Sequence, residues 1–369
     1  MKRSLLQIVV LVLLVLFLPQ GSLVDACTTF CINDGESLVF GRNYDWSIGV
    51  GLVMVNRSGI VKSALIPPTD VPAQWVSKYG NITFNQYGRG LPMGGMNEKG
   101  LVVEQMWLQE TKYPEPDDRG ALRELTWIQY QLDNCETVDE VIATDSEVRI
   151  TQESVPIHFL ICDARGETAV IEFLEGKMVA HRGEDLSFTA LANSTYENSV
   201  RYLKSCKGFG GEKVIADDSV SSLDRFAKAA RGVVRYDAAE QGGAVARAFG
   251  ILEEVSQGRA TRWSIVYDVK NRAILFRTGK SPKIKILNLD EFDFGCQAPC
   301  RVLDIDCDAT GVVHDRFVDY SVELNETLIY DAWKNTSFLK NTPDVVLDVI
   351  ACHPESYRPA KKKGEEKGE

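Results

Sequence analysis

The chain is poor in histidine. It has four histidines in 369 residues (His158, His181, His314 and His353). None lies in a Cys/His protease signature, and HExxH, GxSxG and a Walker loop are all missing, which removes the common zinc, serine and nucleotide chemistries. Basic charge is also in deficit. Lys+Arg number 41 against 52 Asp+Glu, a formal charge of -11, and no basic stripe offsets it, so nucleic acid is excluded as a partner. Long apolar runs are missing apart from Leu5–Leu18, which is shorter than the roughly 20 residues of a spanning helix. There is no internal repeat. What remains is an ordinary globular composition, 44% hydrophobic and 25% charged.

The one apolar run has the anatomy of an export signal. Lys2 and Arg3 precede it, Pro19 and Gly21 break it, and Val24-Asp25-Ala26 offers small residues for cleavage. Residues 1–26 are therefore expected to be a signal peptide, the protein secreted or periplasmic, with no stable membrane span after cleavage and Cys27 as the first mature residue. Cys27 also stands where a lipid-modified cysteine would, although Asp25 fits a lipoprotein box poorly. Eight cysteines besides Cys27 form an even set that an oxidising compartment can pair or that stay as buried thiols. Cys296, Cys300, Cys307, Cys352 and His353 do not follow zinc-ribbon or finger spacing, and no metal or other cofactor is expected.

Alternation predicts strands at Thr28–Ile32 and Ser37–Gly41 around an Asn33-Asp34-Gly35 turn, then at Gly51–Val55, Gly100–Trp107, Ile157–Cys162, Ala169–Phe173, Trp263–Val269 and Ala273–Arg277. Helical spacing is read at Ala121–Leu132 and Tyr196–Leu203. Capping signals at Thr137/Glu140 and Ser221/Asp224 start two more helices, the second running to Val234. Hairpins followed by helices and then hairpins imply an α+β layered fold without a linker. A single domain over 27–357 is expected, followed by a charged, disordered tail over 358–369.

A cysteine at a mature N-terminus carries a thiol and an α-amine together. That amine, with a reference pKa of about 7.7 to 8.0, can serve as the nucleophile's own base. A tight hairpin lays the strand ending at Arg42 beside Cys27, where an arginine favours the thiolate, and Asp45 is placed to hold the α-amine. Taken alone, Gly41–Trp46 also reads as a strand end with a surface ion pair.

At this point the sequence resembles the choloylglycine hydrolase family, N-terminal nucleophile amidases that include bile salt hydrolases and penicillin V acylases. The resemblance rests on ordered blocks: Cys27-Thr28, Phe40-Gly41-Arg42-Asn43-Tyr44-Asp45, Gly95-Met96-Asn97-Glu98-Lys99-Gly100-Leu101, Leu191-Ala192-Asn193-Ser194, the Ser222–Ala230 segment and Trp263–Asp268. It spans about Cys27 to Arg277. It implies a four-layer αββα fold, two stacked, mostly antiparallel sheets between helices. It also implies Cys27 as nucleophile and base, Arg42 and Asp45 as groups that position and polarise it, Asn193 as an oxyanion donor and Arg225 over the site. Trp46 and Trp107 resemble the pair in the Gram-negative branch, with Trp107 offering its N–H to the oxyanion and its ring to the acyl pocket.

Each of these residues also has a plainer reading. Asn193 lies in a glycosylation sequon and suits a helix cap, Arg225 suits a solvated helix charge, and the tryptophans suit a core. The expected activity is hydrolysis of a small-molecule N-acyl amide with an apolar or aromatic acyl group through a Cys27 thioester, as in penicillin V or acyl homoserine lactone acylases. Alternatives are a conjugated bile salt hydrolase, an N-acylethanolamine or ceramide-type amidase or acyltransferase, and a lipid-anchored exported binding protein. Homo-oligomerisation is left open.

Overall fold

The computed structural model describes residues 27–151, 155–239 and 242–361. The expected signal peptide, 1–26, lies outside the described residues, as do 362–369 of the expected tail.

Two antiparallel sheets are stacked. The first has seven strands in the order Ala190–Leu191, Thr28–Asn33, Leu38–Asp45, Thr261–Asp268, Ala273–Thr278, Lys285–Asn288 and Gly311–Val312, only the last pair being parallel. The second has nine, ordered Lys177–Arg182, Thr168–Leu174, Ile157–Cys162, Val102–Trp107, Pro92–Asn97, Asn81–Asn85, Leu52–Asn56, Arg301–Asp304 and Val318–Asp319. Aromatic side chains lock the sheets face to face: Phe84 of the second meets Phe276 and Tyr267 of the first edge-on at 5.4 and 6.3 Å. Helices Ser222–Val234 and Gly243–Glu254 cover the outer face of the first sheet, and Glu124–Asn134 covers the second, with Trp127 stacked on Phe159 at 4.4 Å. The expected α+β stack of sheets between helices is thus what forms.

The first hairpin follows from its turn. Asp34 accepts the Glu36 and Ser37 N–H groups, and Gly35 takes the left-handed φ of 88° that the turn requires. The resulting register pairs Thr29 with Arg42 and Phe30 with Gly41. Cross-strand partners share a face, so Cys27, Thr29 and Cys31 project with Phe40, Arg42 and Tyr44 towards the second sheet. Thr29 reaches Met106 and Cys31 reaches Cys162 there. The odd residues of the second strand face the helices, where Asn43 donates to the Leu252 carbonyl.

The capping box at Thr137/Glu140 and the Ser221 cap form as expected. The Ala121–Leu132 expectation is corrected to Glu124–Asn134, because Gly120–Leu122 is drawn into a short parallel pair with Val148–Ile150. The boundary at 357 is also corrected. Arg358–Pro359 pairs with Ile60–Ser63, and Ala360 N–H donates to the Gly59 carbonyl, so the folded chain continues past that point.

One buried cluster fixes the segment leading to Asn193. Glu172 accepts the Tyr196 N–H at the start of helix Tyr196–Lys204 and bonds His158 Nδ1 at 3.1 Å, while His158 Nε2 lies 2.8 Å from the Ala192 carbonyl. Burial alone raises the Glu172 pKa, but the hydrogen bonds from His158, His181 and the Tyr196 amide prevail and bring it down to about 2. A carboxylate depressed below its unfolded value stabilises the fold above about pH 4.5, and that contribution, of order 3 kcal/mol, is lost as pH falls towards 2. Glu172→Gln is therefore expected to lower Tm at pH 7 and to flatten the fall in Tm between pH 5 and 2.5. Identical slopes in calorimetry of the two proteins would show that Glu172 is not the group being titrated.

Candidate active site

Cys27 sits at the open end of the hairpin with 4% of its surface exposed. Its backbone nitrogen donates to Asn193 Oδ1 at 2.8 Å. The same oxygen accepts from Arg225 Nη2 at 2.8 Å, and Arg225 Nη1 reaches the Cys27 carbonyl and Thr28 Oγ1, both at 2.5 Å. Arg225 is 1% exposed, so it is not a solvated helix charge; it fastens the first two residues of the strand to Asn193. Nor is Asn193 a cap, since Thr195 caps the helix that follows.

Arg42 does not act as a free cation beside the thiol. It is wholly buried, forms an ion pair with Glu104, and donates to the carbonyls of Met93 and Gln105 at 2.9 and 3.1 Å, while Nη2 lies 3.9 Å from Cys27 Sγ. Glu104 also accepts from the Tyr267 hydroxyl, and burial pushes its pKa up to about 7 against the pull of Arg42. Arg42 favours the thiolate, as expected of it, but not by enough to offset burial. Burial pushes the Cys27 thiol above its ordinary value, Arg42 opposes this without overcoming it, and the nearby Asp45 carboxylate adds to the rise. Asp45 is itself buried, accepting from Thr261 Oγ1 and from Gln257 Nε2, the latter at 2.8 Å. The Cys27 nitrogen donates to Asn193 Oδ1, the acceptor role expected for Asp45.

Arg42 also shapes the second sheet. Pro92–Asn97 and Val102–Trp107 pair only from Gly94/Glu104 to Met96/Val102. Beyond Gly94 they splay, and the guanidinium bridges the gap. A Cβ at Gly94 would run into the Glu104 carboxylate, so the glycine is what lets this acid turn inward. On the other side of Val102–Trp107, Ile157 spends its N–H on the Tyr113 hydroxyl and its C=O on Thr111 and Tyr113, so it forms no ladder bond with Trp107. The Trp107 backbone therefore faces the splayed edge. Its carbonyl accepts from Asn193 Nδ2 at 2.8 Å, and its N–H points the same way.

Above Cys27 lies a cavity of about 750 Å³, its open mouth included, walled largely by Tyr44, Trp46, Tyr87, Trp107, Trp333 and Phe338. Trp46 and Trp107 lie 6.3 Å apart. Such a cavity takes an apolar group with Cys27 at its floor. The seven residues singled out by sequence thus meet at one place. Sequence missed Glu104, whose signal was an acid inside the apolar run Leu101–Trp107, and missed Tyr87, Trp333 and Phe338, which carry no local signal. Among the described residues no three metal-binding side chains converge, all nine cysteines are unbridged, and no helix is long and apolar enough to cross a membrane.

Comparison with known proteins agrees with this geometry. The family of linear amide C–N hydrolases termed choloylglycine hydrolases matches residues 27–302. Penicillin V acylase of Pectobacterium atrosepticum is 25% identical, over 75% of this chain and 85% of its own. The structure of penicillin V acylase from Agrobacterium tumefaciens superposes with a TM-score of 0.70 at 25% identity, covering 80% of this chain and 98% of that one. A variant of conjugated bile acid hydrolase from Clostridium perfringens shares the fold at a TM-score of 0.63 and 16% identity, over 78% and 99% of the two chains. The chain belongs to the choloylglycine hydrolase family of linear amide C–N hydrolases.

Proposed function

We propose that this hydrolase is exported, begins at Cys27 once residues 1–26 are removed, and cleaves N-acyl amides with a flat aromatic or straight acyl group through a thioester on Cys27. The observation that carries the reading is the grip of Asn193 and Arg225 on the Cys27 nitrogen and carbonyl at the floor of an aromatic pocket. With the chain cut before Cys27 that nitrogen is an amine. Asn193 Oδ1 keeps it beside the sulfur, where it takes the thiol proton as Sγ attacks the amide carbon. A neutral, buried thiol with an adjacent base suits this transfer better than a preformed thiolate would.

The carbonyl oxygen gathers charge in the tetrahedral intermediate. The Trp107 N–H faces it, and the second hydrogen of Asn193 Nδ2 is available beside it. Collapse breaks the C–N bond, and the leaving amine takes the proton held by the Cys27 amine. Water, deprotonated by that same amine, then attacks the thioester, releasing the acid and restoring the thiol. Asp45, Arg42 and Arg225 fix the charges around these steps.

Asn193→Ala is expected to lower kcat by about 10² to 10³ with only a modest fall in Tm, because it removes a donor and the anchor of the amine and leaves Arg225 one acceptor short, but caps no helix. Normal turnover with a large loss of stability would assign Asn193 a structural role only. Substrate class is tested by kinetics on three amides. Penicillin V and a medium-chain acyl homoserine lactone should show higher kcat/KM than taurine- or glycine-conjugated bile acids, since two indoles favour a thin acyl group over a fused-ring one. Bile acid conjugates as best substrates would overturn that preference and leave the amidase chemistry standing.

A further inference from the structure

The outer wall of the pocket comes from chain beyond residues 27–302, the part matched to the family. Helix Val322–Asn335 ends at Thr336, and the turn that follows places Phe338 edge-on to both indoles, 6.4 Å from Trp46 and 6.2 Å from Trp107. Phe338 is the one phenylalanine among the exposed large apolar side chains of the described residues, 47% exposed, where Trp46 beneath it is 9% exposed. A ring left half in water, with its packing directed at two indoles over a nucleophile, is poorly explained as core.

The turn is tied to the pocket floor by a directional chain of hydrogen bonds. Trp46 Nε1–H can only donate, and it does so to the Tyr87 hydroxyl at 2.7 Å. Thr336 donates to the Ala332 carbonyl at 2.8 Å, so the Tyr87 hydroxyl donates to Thr336 Oγ1 at 3.0 Å. Thr336 is 1% exposed, and the chain holds the orientation of the Trp46 ring and the position of the Phe338 turn together.

We infer that Phe338 is an acyl-specificity residue: it closes the outer end of the pocket over the paired tryptophans and limits the acyl group to one flat ring or a chain of medium length. The inference rests on the amidase reading. With Phe338 cut back, an acyl chain that stops against the ring continues between Trp107 and the turn towards solvent. Nothing in the chemistry at Cys27 changes, so the effect belongs in KM and not in kcat.

The test compares wild type, Phe338→Ala and Phe338→Tyr on phenoxyacetyl, hexanoyl and dodecanoyl amides of one chromogenic amine. It also measures binding of phenoxyacetate and dodecanoate by quenching of tryptophan fluorescence. Phe338→Ala should raise KM for the phenoxyacetyl amide about three- to tenfold, the worth of one aromatic contact, and lower it for the dodecanoyl amide, with kcat within about twofold. Phe338→Tyr, which keeps the ring, should behave as wild type. The two acids should shift in the same directions in the binding arm. Unchanged selectivity between phenoxyacetyl and dodecanoyl groups in Phe338→Ala overturns the inference. If wild type cleaves none of the amides, the functional reading fails instead, and acid binding alone then decides whether Phe338 gates the pocket.

Discussion

The burial of one guanidinium, that of Arg42, sets most of what surrounds Cys27. A cation taken out of water between two sheets is costly unless its donors find acceptors, and both terminal nitrogens of Arg42 do, only Nε being left without one. The protein supplies Glu104, and Glu104 requires Gly94 opposite it. It also supplies the Met93 and Gln105 carbonyls, which become available only because two neighbouring strands part company. That parting leaves the backbone of Trp107 without a strand partner on the side facing Cys27, where Asn193 takes its carbonyl, and it opens the floor of the cavity. A charge that at first sight serves the thiol serves chiefly the architecture around it.

A second buried arginine does the complementary work on the other side of Cys27. Arg225 joins the carbonyl of Cys27, the hydroxyl of Thr28 and the side chain of Asn193, so the backbone of Cys27 is held at the start of its strand. Behind Asn193, His158 and Glu172 fix the Ala192 carbonyl and the start of the next helix. Positioning is thus supplied by two charged networks meeting at one residue, and the histidines that the sequence scatters without a catalytic motif include one with this structural role.

Much of this was legible from sequence because it rests on local patterns. The Asn33-Asp34-Gly35 turn determines the register that brings Arg42 beside Cys27, and the capping residues announce the helices that carry Glu140 and Arg225. The Pro92–Asn97 strand was not legible, since two glycines and a proline in six residues argue against a strand until Glu104 explains Gly94. Helices Val322–Asn335 and Asp344–Cys352 were missed, and with them Trp333 and Phe338, which reach the pocket only through tertiary packing. How weakly Arg42 pulls on Cys27 was not legible for the same reason: Arg42 is close in register, but its charge is shared with an acid 62 positions away.

The central claim is that Cys27 acts with its own α-amine as an acyl acceptor. It is tested most directly by intact-mass and peptide mapping of protein rapidly quenched in acid during turnover of a phenoxyacetyl amide. The account predicts a mature chain starting at Cys27 with one acyl group in thioester linkage to that residue, and no adduct on a chain carrying one extra residue before it. An adduct on another side chain, or acylation of Cys27 with the extra residue in place, would contradict it.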